Sequence, residues 1–257
     1  MAKLTAASLR QLKADGVKIF AAICYDYQMA RIADKAGADM LTVGDSVGHN
    51  FWGYPTQYEV TLDEMVHVCR QVAKGAERAL VTCDLPFGPI QEGVQEGLAA
   101  AIRLVKEGRA EMVKIDNAPA NLDTVKAVLN AGIPVFPQFG FSPQASMAIG
   151  DFNARSDDVV KAAKDRLVKE AMLFEELGCS ALDCTAVTPE IYAAISAASS
   201  LPVMGGAATK EADGKISGFS YRADTIGVKM APGRVNTAQF VYDAAVNYIG
   251  QVKAGDY

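Results

Sequence analysis

Short apolar runs of strand length alternate with amphipathic stretches of helical period along almost the whole chain. No other feature restricts the fold as much. "KIFAAICYD" reads as a strand and "YQMARIADKAG" as a helix ending at Gly37; "ADMLTVGDS" is the next strand, before the helix in "VTLDEMVHVCRQVAKGA". "RALVTCDLP" and "VQEGLAAAIRLVKEG" repeat the unit, as do "AEMVKIDN" and "LDTVKAVLNAG". "IPVFPQFG" is strand five. "SDDVVKAAKDRLVKEAMLFEELG" reads as one long helix, capped by Ser156 and closed by Gly178. "CSALDCTAV" leads into "TPEIYAAISAASS", with Pro189 in the first helical turn. "LPVMGGAA" is strand seven, and "ADTIGV" is a weaker eighth strand before a last helix near "NTAQFVYDAAVNYIGQV". Seven or eight such units in about 250 residues predict a parallel α/β (β/α)8 TIM barrel, with a doubly wound open sheet as the alternative. No linker, low-complexity tract or charge block interrupts the rhythm, so residues 1–257 read as a single barrel domain.

The formal net charge is −5 and no basic cluster offsets it, which argues against a nucleic-acid partner. The polar opening "MAKLTAASLRQLKADGVKIF" lacks the apolar core of a secretion signal. No apolar run approaches the roughly 18 residues a membrane span needs. The five cysteines (24, 69, 83, 179, 184) form no CxxC pair, and Cys24, Cys83 and Cys184 sit in apolar strands. Together these predict a cytoplasmic protein with reduced core cysteines and no membrane partner.

In a barrel, catalytic residues gather at the C-terminal ends of the strands. Strand one ends in Tyr25-Asp26, strand two in Asp45-Ser46 and strand three in Asp84. Strand four places Lys114 and Asp116 on one side, strand five ends in Gln138, and strand six carries Asp183 and Thr185. One acid after a strand is most often a helix cap or a turn residue. Asp45, Asp84 and Asp116 at successive strand ends instead suggest convergence on one hard divalent cation. Magnesium suits so sparse a carboxylate set. His67 falls inside a helix and reads as structural, while His49 lies in the loop after Asp45 and is left open between the two roles. Trp52, Tyr54 and Tyr58 read as loop packing, with a lid as the alternative. The glycines of "VGDSVGHNFWG" do not have dinucleotide-binding spacing.

The segments "VGDSVG", "GYPTQYEVTLDEMVHVCRQVAKGAERALVTCDLPFG", "MVKID" and "AGIPVFPQFGFSPQ" resemble ketopantoate hydroxymethyltransferases. The resemblance runs over residues 5 to 228 and is strongest from 40 to 145. It implies a (β/α)8 barrel, a divalent metal, usually Mg²⁺, 5,10-methylenetetrahydrofolate as one-carbon donor, and a homo-oligomer, often a decamer. It implies that Asp45 and Asp84 bind metal and that Ser46 and Lys114 hold a small 2-oxo acid. Three positions and one segment depart from the family pattern, the segment being "QYEVT" where the family has "TLPVT". Asp116 stands for a metal-site Glu, Gln138 for a His, and Thr185 aligns with the general-base Glu.

Making an enolate from a 2-oxo acid requires a base near C3 as well as a Lewis acid. Thr185 is no base unaided. Asp183, one layer deeper on the same face of its strand, is expected to serve only if the strand shifts, and a metal-bound hydroxide is the other route. The candidate catalytic residues are therefore Lys114, Asp183 and Thr185; the substrate contacts are Ser46, Lys114 and Gln138; the metal ligands are Asp45, Asp84 and Asp116. The first functional expectation is hydroxymethyl transfer to a 2-oxo acid such as 3-methyl-2-oxobutanoate, a step of pantothenate biosynthesis. Breaking a carbon–carbon bond yields an enolate without that base, so a metal-dependent lyase or aldolase is the alternative. A non-catalytic 2-oxo-acid-binding homologue is the third.

Overall fold

The apolar runs form parallel strands in the computed structural model, which describes residues 2–150, 156–220, 222–230 and 235–255. The strands are β1 Ile19–Ile23, β2 Met40–Val43, β3 Leu80–Asp84, β4 Met112–Ile115, β5 Val135–Gly140, β6 Leu182–Thr185, β7 Val203–Met204, β8 Gly214–Ser220 and β9 Val235–Asn236. The helices are α1 Ala6–Ala14, α2 Tyr27–Lys35, α3 Leu62–Gly75, α4 Pro89–Glu92, α5 Val94–Lys106, α6 Leu122–Asn130, α7 Ser146–Ile149, α8 Asp157–Ala162, α9 Lys164–Glu176, α10 Pro189–Ala198 and α11 Thr237–Ala254. The strand order is β7-β6-β5-β4-β3-β2-β1-β8-β9. The sheet curls until its ends meet. Asp213 N–H donates to Val203 O at 2.9 Å and Ile216 N–H to Gly205 O at 3.2 Å, closing β7 against β8. This is the expected (β/α)8-type barrel, closed by a sparse seam.

Alternate residues of a strand face opposite sides, and here the two sides form separate cores. Ile19, Ala21, Met40, Leu80, Met112, Phe136, Ala181, Met204 and Ile216 pack inside the barrel with Leu9 of α1. Leu41, Val43, Val81, Cys83, Val113, Ile115, Leu182 and Cys184 pack outward against the helices. Along the inward face each strand turns polar toward its C-terminal end: Leu80 gives way to Thr82 and Asp84, Met112 to Lys114, Phe136 to Gln138, and Ala181 to Asp183. Helix α1 thus plugs an oily lower half beneath a polar upper half. Lys13 ties that plug to the seam, pairing with Asp213 at 2.9 Å and donating to Leu201 O at 3.0 Å.

Two elements differ from the sequence expectation. The eighth strand is "GKISGFS", not "ADTIGV", where Ala223–Thr225 forms a 3₁₀ turn. Only Ile216 of β8 enters the inner core, so the strand lacks the apolar density that marks the others. The long helix after β5 is two helices. Ala163 N–H bonds back to Val160 O at 3.1 Å, a tight turn that separates α8 from α9. Ser156 precedes α8 without a side-chain cap bond.

Because Leu9 is fully buried in the inner core, Leu9→Ala should destabilise the fold by about 2–5 kcal/mol. Urea unfolding followed by circular dichroism measures this as a lowered midpoint with an unchanged slope.

Candidate active site

The polar upper half of the barrel encloses a cavity of about 360 Å³. Asp45, Ser46, Asp84, Lys114, Asp116, Gln138, Asp183 and Thr185 all line it, so every candidate read from the sequence reaches one chamber. Register explains the arrangement. Asp84 pairs with Lys114 across the β3–β4 ladder, and Gln138 with Asp183 across β5–β6. Lys114 Nζ lies 3.2 Å from Asp84 Oδ2 and 3.3 Å from Asp183 Oδ2. Asp183, the deeper of the two as expected, therefore lines the chamber together with Thr185 with no shift of β6.

One buried ammonium faces four buried carboxyl groups. Burial raises the Asp45 pKa to about 8, and the nearby charges of Asp84 and Asp116 add to the rise. Burial likewise raises Asp183 to about 6, against the opposing pull of Lys114. Asp84 and Asp116 are also raised by burial, each opposed by hydrogen bonds and by Lys114. Burial works against the Lys114 ammonium, yet the four acids outweigh it and raise its pKa.

Asp116 is held by backbone donors, from Asn117 N–H to one oxygen and from Gln144 N–H to the other at 3.0 Å. Gln144 also donates through Nε2 to Asp45 Oδ2 at 2.8 Å and to Leu85 O at 3.1 Å. Among the described residues no three His, Cys, Asp or Glu side chains form a ready cation cage. Asp45 and Asp84 are the acids with capacity to spare, and Asp84 Oδ1 is buried with no partner. Excess negative charge, an orphaned carboxylate oxygen and all-oxygen donors fit a hard divalent cation that keeps several waters.

The hydroxyls are oriented by neighbours. Asn50 Nδ2 donates to Tyr25 Oη at 3.1 Å, leaving the phenol proton for Ser46 Oγ, also at 3.1 Å. The Ser46 proton is then available to the chamber. Gln138 Nε2 donates to Thr185 Oγ1 at 2.8 Å, which directs the Thr185 proton toward Asp183 Oδ1, 3.5 Å away. Two glycines give the backbone room here. A Cβ on Gly44 would lie 2.7 Å from Ser46 Oγ, and Gly140, at φ +95°, would meet Thr185 O at 2.6 Å.

Asp26 is not in the chamber; it caps α2 by accepting from Met29 N–H at 2.8 Å. His49 lies on a π-helical turn, Gly48–Trp52, and lines the chamber with Nδ1 buried and unpartnered. Its pKa is lowered by burial and by the charge of Arg222. His67 is exposed on α3. Trp52 packs on Tyr54, and Tyr58 on Phe87. The sequence reading gave no role to Gln144 or Asn50 and named Tyr25 only as a strand end. Their one local signal is position, in the loops immediately after β1, β2 and β5.

A family model described as ketopantoate hydroxymethyltransferase matches residues 3–257. The 3-methyl-2-oxobutanoate hydroxymethyltransferase of Bacteroides fragilis is 34% identical over 99% of this chain and 94% of its own length. That of Salinibacter ruber is 37% identical over 84% and 81%. Among solved structures, a 2,3-dimethylmalate lyase of the PEP mutase/isocitrate lyase superfamily aligns with TM-score 0.60 at 14% identity, covering 99% of both chains. A phosphonopyruvate hydrolase solved with oxalate and Mg²⁺ aligns with TM-score 0.63 at 14% identity, over 98% of this chain and 88% of that one. At such identity these two speak to the fold alone.

The raised carboxyl pKa values have a stability consequence. An unfolded aspartate releases its proton near pH 4, whereas Asp183 and Asp45 hold theirs to about 6 and about 8. The native state binds more protons across that window, so stability should fall as pH rises from 4 to about 8 and then level. Urea titrations in EDTA check this. Asp45→Asn should flatten the upper part of the slope, and a rise in stability over the window would contradict it.

Proposed function

The chain belongs to the ketopantoate hydroxymethyltransferase family, and from that premise we propose how its chamber transfers a hydroxymethyl group to a 2-oxo acid, 3-methyl-2-oxobutanoate being the substrate that the relatives' names indicate. Lys114 binds the substrate carboxylate through a charge-assisted contact, and Ser46 donates its free proton to the same end. Ile23, Pro143 and Ile216 supply apolar wall for the branched alkyl group. Asp45 and Asp84 would hold a divalent cation, with Asp116 as a further oxygen donor beside them. The cation, taken as Mg²⁺, supplies Lewis-acid stabilisation of the negative charge that develops on the substrate's carbonyl oxygen.

Asp183 takes the C3 proton. The observation that best supports this is its carboxyl lining the chamber beside Lys114 with a pKa raised to about 6. A carboxylate so tuned is mostly ionised at neutral pH yet more basic than a solvated one. Thr185, held by Gln138, orients the carboxyl and is not itself the base. Lys114 steadies Asp183 before substrate binds, and its three N–H donors let it keep that contact while engaging the substrate. With a base placed for the C3 proton in the chamber, cleavage by a lyase, which needs no base at that carbon, and binding without turnover both fit less well than transfer.

The one-carbon donor is 5,10-methylenetetrahydrofolate on family grounds, with no residue of this chain assigned to it. The enzyme works as a homo-oligomer, a decamer being the family's common form. The buried, unpaired cysteines agree with a cytoplasmic setting, and among the described residues no helix is long and apolar enough to cross a membrane.

Loss of the 3-methyl-2-oxobutanoate C3 proton in D₂O, followed by NMR with Mg²⁺ and no one-carbon donor, isolates the proton step. Wild type should exchange it, Asp183→Asn about 10²–10⁴-fold more slowly, and Thr185→Val with a far smaller loss. Undiminished exchange in Asp183→Asn would show that the base lies elsewhere. In calorimetric titrations Lys114→Met should bind the oxo acid at least about tenfold more weakly, a loss near 1.4 kcal/mol; unchanged affinity would remove the clamp.

A further inference from the structure

The acids at the cation end of the chamber are held by different means. Asp84 is fixed by Lys114, whose Nζ lies 3.2 Å from its Oδ2. Asp45 has no such ion pair. Among the described residues the one side chain that donates to its carboxyl is Gln144, through Nε2 at 2.8 Å. The second Nε2 proton goes to Leu85 O at 3.1 Å, the carbonyl of the residue that follows Asp84. The backbone N–H of Gln144 donates to Asp116 Oδ2 at 3.0 Å. One residue from the loop after β5 thus reaches the chain just past the ends of β2, β3 and β4.

The Gln144 amide can serve in one orientation only. Turned over, Oε1 would face Asp45 Oδ2 and Leu85 O, two acceptors that offer it no proton. Held as it is, Oε1 is buried without a partner, a cost that an apolar side chain of the same length would avoid. Gln144 is buried and is not among the residues that line the chamber, so it stands behind the carboxyl groups. Neither stability nor substrate contact therefore accounts for an amide at this place. Its own position is fixed. Pro143–Ala145 forms a 3₁₀ turn, and Tyr58, in a T-shaped contact with Phe87, donates through Oη to Pro143 O at 3.1 Å.

We propose that Gln144 is a positioning residue for the metal: its amide spans from the Asp45 carboxyl to the backbone beside Asp84, sets the spacing of these two acids, and thereby favours Mg²⁺ over Ca²⁺. The proposal rests on the reading that Asp45 and Asp84 hold the cation. Mg²⁺ demands near-octahedral oxygens at about 2.0–2.1 Å, whereas Ca²⁺ accepts roughly six to eight at about 2.3–2.6 Å in flexible geometry. A spacing held by a buried strut suits the ion with the stricter geometry, and a loosened spacing gives that preference up. Groups that orient metal ligands from behind commonly matter to affinity in this way.

The test titrates the full-length chain with Mn²⁺, follows binding by EPR, and displaces the Mn²⁺ with Mg²⁺ or with Ca²⁺. Gln144→Met keeps the side-chain length and the backbone N–H but loses both amide donors. It should bind Mg²⁺ about 10–100-fold more weakly than wild type and Ca²⁺ with a clearly smaller loss, so the ratio of the two affinities moves toward Ca²⁺. Its urea midpoint in EDTA should move little, because an orphaned acceptor leaves together with the bonds. Gln144→Asn, its amide withdrawn by one methylene, should shift the ratio in the same direction. Equal losses for the two ions would overturn the proposal. So would metal-free forms of both variants that fail to fold, since the role would then be structural. Undiminished Mg²⁺ affinity in Gln144→Met, beside a wild type that binds the ion, refutes this inference alone; a wild type that binds no divalent cation refutes the metal reading with it.

Discussion

A single ammonium group, Lys114, stands among four buried carboxyl groups, and the upper half of the barrel is organised around that imbalance. Its position follows from the parallel register that sets it beside Asp84 and from the inward alternation that brings Asp183 to its other side. Without Lys114, that cluster would carry no positive side-chain charge, and burying it would be prohibitive. With it, negative charge still remains in excess. The structure meets the remainder by protonating part of the cluster and by backbone N–H bonds to Asp116. A divalent cation would meet it more completely. The same excess of negative charge that makes the chamber costly to fold makes it receptive to a metal ion.

Much of this was legible in the sequence because it depends on local periodicity. Short apolar runs of strand length located β1 to β7, and the polar residue ending each run named the chamber's lining. β8 was missed because its outward positions include Lys215 and Ser217, where no helix of the same chain requires an apolar face. The break at Ala163 was missed because either helical arrangement buries a similar stripe. Partner choice was harder still. Gln144 reaches Asp45 from the far side of the chain, and Asn50 reaches Tyr25 across a loop; no spacing rule encodes such contacts. Asp183 does lie deeper than Thr185 on β6, but that Lys114 would meet it at that depth depends on strand tilt and stagger, which a flat reading of the strand omits.

The chamber's rim also stores strain. Asn117 and Ala186 adopt left-handed backbone conformations, φ 48° and φ 55°, immediately after Asp116 and Thr185. Asparagine tolerates that region; alanine does so at a cost of about 1 kcal/mol. Both turns redirect the chain sharply off the strand end, which keeps the preceding side chain aimed inward. Strain at this rim accords with a site whose geometry is fixed before any ligand arrives.

Lys13 and Asp213 join the first helix to the last closure of the barrel wall. In a chain synthesised from its N-terminus, α1 emerges long before any residue of the seam it must bind. Leu9 has no completed barrel to plug until nearly the whole sheet exists. Closure is therefore a late event with very high contact order, and it is slow for that reason. Until then the nascent protein presents an open, curled sheet with two unpaired edges, β1 awaiting β8 and β7 awaiting the same strand. That interval, more than the finished barrel, is when this chain is most exposed to misassembly and to the cell's holding chaperones.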